Sequence, residues 1–408
     1  MKLNFYKKLG LIIFVGAILR VIAIFFFGDD EVANEWGIIL NNLEQNKILS
    51  VRSVDGVPVP NIFMPPLYPL FLYVLKLGFN ETNNFLNTVF IIQTGISLIS
   101  IFIVYKILIE IFNENISILG VIIYAIFPIN IFAVSQISSI TIQMFLINVF
   151  LYQFIKIFKN PNNKNVLLFS LPSALLILLR GEFLVFVILS LLYLLIKHNC
   201  IKKVFASLLF ILILISPYLY RNYQIFEQVT ITKSFGYNLL KGNHPRTAVE
   251  GTPMFRGVEN VIPETKKKLE ELNALGPIKT HDLLKDKILL DQAIIFIKEN
   301  PKKYIKLYFE KFLSFLFFDL NSSYPHYYSI FHLLPKILIS LTTIAGIIVT
   351  TSFSKNIINY FSLFYLANIG LFSFFFILPR YSLSLLTVQI ILSLCFVENI
   401  NKKFKFFK

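Results

Sequence analysis

Asp29, Asp30 and Glu31 stand side by side in the stretch GDDEVANEW. Three adjacent carboxylates repel one another unless water screens them or something uses them. A carboxylate with little water around it gains proton affinity, or it stays charged and activates a hydroxyl donor. Acidic residues also suit the first turn of a helix, so the same run would serve as a cap and as a stop for the apolar segment before it. No cofactor is implied, and a divalent cation at the Asp29–Glu31 cluster is the one ion the run leaves open.

The basic counterparts lie far away in sequence. Arg180 and Glu182 occur in LLRGEFL, Arg221 and Asn222 in SPYLYRNYQIF, and Arg380 in LPRYSLSLL. Guanidinium groups gathered near a carboxylate cluster suit a phosphate-bearing lipid substrate; a single one would be explained by snorkelling to headgroups. Arg20 lies inside an apolar run, ten residues before Asp30, about 15 Å of helix. A charge at that depth needs a partner in the bundle interior, as an ion pair or with a ligand. Asn238, Asn243 and His244 in GYNLLKGNHP add hydrogen-bonding groups, although loop asparagines often serve turns. His198, His244, His281, His326 and His332 have no paired metal spacing. No glycine-rich phosphate loop follows a strand, and no strand pattern stands out.

These residues hang on a membrane framework. The 408 residues are 56% hydrophobic and 15% charged, with 44 Phe, which excludes an ordinary soluble domain. Windows able to cross about 30 Å of hydrocarbon fall near 9–27, 87–108, 116–134, 138–158, 165–180, 182–197, 203–220, 329–350, 356–378 and 381–398. The run 303–318 carries Lys303, Lys306 and Lys311 and reads as an interfacial helix. Lys2, Lys7 and Lys8 put the N-terminus inside and GDDEV outside. Alternation then places Lys156, Lys159, Lys164, Lys197, Lys202, Lys203 and the tail NKKFKFFK inside. The net charge of +15 thus faces anionic lipid and gives no support to nucleic-acid binding. Cys200 and Cys395 fall at inner helix ends, where thiols stay reduced.

Two long outer segments remain, 28–86 and 221–302, and function concentrates where a chain places its non-spanning residues. In the first, Val32, Trp36, Ile39, Leu40 and Leu43 recur at helical spacing and predict a surface helix over 31–45. SVDGVPVPN is turn material, and Pro65–Pro66 begin a short second helix. In the second, Gly236, Gly242, Pro245 and Gly251 mark positions unsuited to helix, ahead of a charged helical region from 263 to 300. The expected division is an N-terminal membrane module over 1–220, an outer cap over 221–302, and an interfacial helix with C-terminal spans over 303–408.

Together with NIFMPPLYPLFLYVLKL and ENPKKYIKLYFEKFLSF, these pieces, in their order and sidedness, resemble the GT-C membrane glycosyltransferases, in the branch of protein O-mannosyltransferase-like, aminoarabinose-transferase-like and Rgt-like (family 39-type) enzymes. The resemblance implies an all-α polytopic bundle of about ten transmembrane helices, with juxtamembrane helices in the first outer loop and a long second outer loop. It implies transfer of a hexosyl or pentosyl group from a polyprenyl-phosphate donor to an envelope lipid, glycan or protein acceptor. The reaction would take place at the extracytoplasmic face of the plasma (inner) membrane, both termini being cytoplasmic. An acidic residue of the first loop would be general base: Asp30 first, then Asp29 and Glu31. Arg180, Arg221 and Arg380 match the basic positions that would hold the carrier phosphate; Glu35, Glu182, Asn222, Asn238, Asn243 and His244 complete the substrate-binding set. Relatives commonly have Tyr at the place of Trp36. Many also have a second acid between spans three and four, but INIFAVSQISSITIQMF has none; Gln136, Ser138 or Thr141 would have to substitute. A transporter or flippase of lipid-linked saccharide would call for related halves and broken helices, and the sequence suggests neither. An O-antigen-type polymerase would share the bundle and the large outer loop.

Overall fold

The computed structural model describes residues 2–32, 34–79, 81–251, 262–323, 327–350 and 356–404. His326, residues 252–261 of the second loop and the last four residues of the tail lie outside the described residues. The chain is an all-α polytopic membrane protein. Each of the ten apolar windows falls on helix: α1 (Lys2–Phe27), α4 (Thr82–Ile109), α5 (Glu114–Ile126) continued by α6 (Pro128–Phe132), α7 (Ile140–Lys159), α8 (Asn163–Leu179), α9 (Phe183–His198), α10 (Ile201–Phe226), α15 (Ile330–Thr350), α16 (Asn356–Phe372) and α17 (Leu386–Phe404). Six described helices are long and apolar enough to cross a membrane unaided, and the α5–α6 pair makes a seventh if taken as one bent span. The other three, α8, α9 and α16, have 17, 16 and 17 residues, or about 25 Å each.

The bend between α5 and α6, 52°, corrects the expectation that no span is broken. Its cause is local. Pro128 has no N–H to close on the carbonyl of Tyr124, four residues earlier. The Asn130 side chain donates to that oxygen instead, at 2.9 Å. Arg20 donates to the next freed carbonyl, that of Ala125, at 3.2 Å, and also to Ser97 Oγ at 2.8 Å and the Gly16 carbonyl at 2.9 Å. The fully buried guanidinium thus meets backbone and hydroxyl oxygens, and no carboxylate pairs with it among the described residues. Beyond the bend the chain winds through a 3-10 turn, Ala133–Ser135, and delivers residues 136–139 to the end of the bundle where α1 stops.

Outside the spans, α2 (Asn34–Asn46) buries Ile39, Leu40 and Leu43, as its spacing predicts, and α3 (Leu67–Lys76) follows Pro66. Between them lies an antiparallel hairpin, β1 (Arg52–Val54) and β2 (Val57–Val59), where the sequence suggests only turn. Asp55 and Gly56 both have positive φ, 51° and 78°, the geometry that closes a two-residue hairpin and that Asp-Gly favours. The charged region 263–300 divides into α12 (Pro263–Asn273) and α13 (His281–Glu299) at Gly276, φ 75°. A further helix, α11 (Phe235–Gly242), contains Gly236 and Gly242, contrary to their reading as helix breakers. Close approach explains both: an added Cβ would stand 2.1 Å from the Asp286 carbonyl at Gly236 and 1.9 Å from that of Phe375 at Gly242. The region 303–318 is α14 (Pro301–Leu316), whose Ile305, Phe309 and Leu313 form an exposed apolar stripe. The two outer segments are joined. Arg52 pairs with buried Asp282 at 2.7 Å, and the Lys233 amide donates to the Ile62 carbonyl at 2.7 Å.

Candidate active site

The α1 helix ends at Phe27, and the acidic run begins two residues later, against the 133–139 segment. The amide of Asp29 donates to the Ser135 carbonyl at 3.1 Å. Its carboxylate Oδ2 accepts the Ile137 N–H at 2.6 Å. Asp29 is half-buried, whereas Asp30 and Glu31 are exposed. Burial raises the proton affinity of Asp29; the Ile137 bond opposes this by favouring the charged form, and Asp30 adds to the rise. Tyr68 of α3, nearly fully buried, lies within electrostatic reach: burial, then the Asp29 charge, holds its phenol well above the usual range. Trp36 packs edge-on against Tyr68, ring centroids 4.8 Å apart.

The segment that lacks an acid is therefore the one that binds the acid of the first loop. Of its three candidate substitutes, Gln136 donates to the Phe27 carbonyl at 2.8 Å and Thr141 to the Ala133 carbonyl at 3.1 Å. The Ser138 hydroxyl is buried with no hydrogen-bond partner among the described residues.

The start of α7 also carries the first arginine. Arg180, in the turn after α8, donates to Gln143 of α7 at 3.4 Å and pairs with Glu182 at 2.6 Å. Its guanidinium lies over the Tyr381 ring, 5.8 Å from the centroid. Tyr381 and Arg380 sit on a 3-10 segment, Pro379–Leu385, that leads into α17. Arg380 is exposed and has no hydrogen bond or ion pair among the described residues. Near it is a residue the sequence reading missed, Lys241 of α11. Burial lowers the proton affinity of this lysine, Arg380 lowers it further, and Glu35 of α2 raises it; its ammonium lies 4.6 Å from the Phe376 ring centroid. Lys241 is one of many lysines in the second outer segment, and nothing in the sequence sets it apart from them.

Arg221 is elsewhere engaged. It donates to the Asn61 carbonyl at 2.8 Å and to Asn222 Oδ1 at 2.7 Å, tying α10 to the first loop. Asn222, fully buried, donates to the Thr230 carbonyl at 2.7 Å. Asn238 donates back to the Ser234 carbonyl at 2.8 Å. Asn243, also fully buried, donates to the carbonyls of Leu239 and Phe374, both at 2.8 Å, and accepts from Lys311 at 3.1 Å. The buried ring of His244 accepts the Arg246 N–H at 3.2 Å. Burial first, then Lys303, Lys311 and Arg246, pushes its pKa down to about 4, so it is neutral at pH 7. The four side chains Asn222, Asn238, Asn243 and His244 thus hold backbone together around the site.

Among the described residues no group of three His, Cys, Asp or Glu side chains converges as metal ligands. With Asp29 turned to a backbone amide and no acid at 133–139, the donor set does not fit an ion held between two loops. Among the described residues neither Cys200 nor Cys395 is in a disulfide.

The whole architecture has known counterparts. The chain has the GT-C glycosyltransferase fold: it superposes on the Archaeoglobus fulgidus oligosaccharyltransferase AglB in complex with an inhibitory peptide and a dolichol-phosphate, with TM-score 0.57 and 12% identity, over 98% of this chain and 51% of that one. The same enzyme tethered to an acceptor peptide gives TM-score 0.57 at 13% identity, over 98% and 50%; its complex with Zn and sulfate gives 0.56 at 12%, over 97% and 50%. The chain spans about half the length of these structures. Residues 64–220 match the dolichyl-phosphate-mannose-protein mannosyltransferase family, so the resemblance to GT-C glycosyltransferases seen in the sequence holds. No curated protein matches the chain.

Proposed function

We propose that the protein transfers a sugar from a polyprenyl-phosphate donor to an envelope lipid, glycan or protein acceptor at the extracytoplasmic face of the cell membrane. The observation that carries this reading is the seating of Asp29: a half-buried carboxylate, oriented by the Ile137 amide, at the bundle end that also presents Arg380 and Lys241. Asp29 is the general base in preference to Asp30, because its surroundings both fix it and raise its proton affinity toward the working range. It takes the proton of the acceptor nucleophile as that atom attacks the anomeric carbon and the bond to the carrier phosphate breaks. The phosphate leaves as a monoester with more negative charge than it had as the sugar-linked diester, so Arg380 and Lys241 stabilise the transition state more than the ground state. The GT-C fold and the dolichyl-phosphate-mannose family match support the donor class.

The test is transfer of labelled sugar from polyprenyl-phosphate donors to envelope fractions, by membranes carrying the wild-type chain or Asp29→Asn and Asp30→Asn. Loss of transfer in Asp29→Asn at unchanged protein level supports the assignment. Full activity in Asp29→Asn would falsify its role as base.

A further inference from the structure

Gln93 lies on α4, fully buried, and its side-chain amide reaches across to the acid-free segment. Nε2 donates to the carbonyls of Val134 at 3.2 Å and Gln136 at 3.0 Å, and Oε1 accepts from the Tyr68 hydroxyl at 3.4 Å. The other edge of that segment holds the acidic run. Ser135 accepts the Asp29 amide, Ile137 donates to the Asp29 carboxylate, and Gln136 donates back to Phe27. One buried amide therefore grips both carbonyls that flank Ser135, next to the N–H that orients the carboxylate. Residues 136–139, between the 3-10 turn and α7, lie outside any helical ladder, so they need such an external anchor to hold one conformation.

We propose that Gln93 is a positioning residue for Asp29, setting the orientation and protonation of its carboxylate through the 134–137 backbone. The consequence for catalysis rests on the reading of Asp29 as base; the effect on the carboxylate itself does not. A carboxylate that accepts an N–H is favoured in its charged form, whereas burial and the neighbouring Asp30 favour the neutral form. Asp30 beside it and Tyr68 on α3 are the titratable groups within electrostatic reach among the described residues. Without the two Gln93 bonds the Ile137 N–H is free to move off Oδ2, and the balance shifts toward the protonated acid. A residue that only filled space would lower protein yield, or the rate at every pH alike, and would leave that balance alone.

The experiment reads Asp29 directly. A water-soluble carbodiimide with a glycine ester, applied to membranes across a pH series, labels the protonated carboxyl, and mass spectrometry of the Asp29 peptide gives the labelling midpoint. Gln93→Leu is expected to raise the midpoint by about half to one pH unit, part of the effect of losing one hydrogen bond to a charge. The acid limb of the transfer rate moves up with it. Should Gln93→Leu fail to accumulate, the volume-conserving Gln93→Met carries the same comparison. An unmoved midpoint in an inserted variant overturns the proposal. A raised midpoint with an unmoved acid limb supports the positioning of Asp29 and refutes Asp29 as base, so the two failures are distinguishable.

Discussion

Arg180 and Arg380 look alike in the sequence, yet their surroundings differ. The guanidinium of Arg180 is held by Glu182 and Gln143 and covered by Tyr381. Arg380, on the same 3-10 segment as that tyrosine, has no hydrogen bond or ion pair among the described residues and has Lys241 as its cationic neighbour. A cation already neutralised by the protein adds shape and stability. Arg380 disfavours the charge on Lys241 and the exposed Glu35 favours it, so an added anion between the two cations would lower their mutual cost. The contrast separates cations already held by protein groups, Arg180 and also Arg221, which is bound to Asn61 and Asn222, from Arg380, and on the proposed reading it is Arg380 that is left for the carrier phosphate.

The acidic side offers the same contrast in reverse, and it carries the largest expected effect. Asp29→Asn keeps the shape and an acceptor oxygen for Ile137 but removes the base, so transfer should fall by about 10²- to 10⁴-fold, whereas exposed Asp30 should tolerate Asn within about tenfold. Burial raises the Asp29 pKa, so the acid limb of the wild-type rate should lie above the usual carboxylate range, near 3.9, with activity lost as pH falls through it. Next come these two cations. Arg380→Ala or Lys241→Ala should each reduce kcat/KM by about 10- to 100-fold, the worth of one charge-assisted hydrogen bond, at normal protein levels. Arg180→Ala should instead lower membrane protein level or melting temperature, because it leaves Glu182 without its partner. Equal kinetic losses in Arg180→Ala and Arg380→Ala, with protein levels unchanged, would dissolve the distinction.

The sequence made the framework legible because hydrocarbon imposes long apolar runs: every predicted window is helical, and α2 buries the face its periodicity predicts. It also put Asp29 and Arg180 at the same end of the bundle. What it hid depends on side-chain direction and backbone contact. Nothing in GDDE distinguishes Asp29 from Asp30; the difference arises when the Ile137 amide, more than a hundred residues away, meets one of them. The bend at Pro128 was visible as a residue and not as a consequence: a proline strains the helix, and a break in a span is tolerated where side chains such as Asn130 and Arg20 satisfy the freed carbonyls. Gly236 and Gly242 misled because a helix tolerates glycine where another backbone needs the space.

The smallest expected effect concerns a cation held more completely than Arg180. Lys311 is fully buried; it donates to the Gly242 carbonyl at 2.7 Å and to Asn243 Oδ1 at 3.1 Å, and burial pushes its pKa down to about 7. In the unfolded chain that pKa is about 10.4. Below pH 7 the ammonium is charged in both states, and the cost of burying it is present in full. Between about 7 and 10 the unfolded chain binds more protons than the folded one, so stability rises with pH, at most by about 1.4 kcal/mol per unit. Lys311→Met removes this dependence while leaving the Gly242 and Asn243 oxygens without that donor. From pH 7 to 9 the wild-type melting temperature should therefore gain about 2 to 4 °C relative to the variant, while the acid limb of transfer stays where Asp29 sets it. A constant difference in melting temperature would mean that Lys311 keeps its proton throughout. On the proposed reading, in which their anion comes from the substrate, Arg380 and Lys241 should show the opposite pattern, a change in transfer with little in melting.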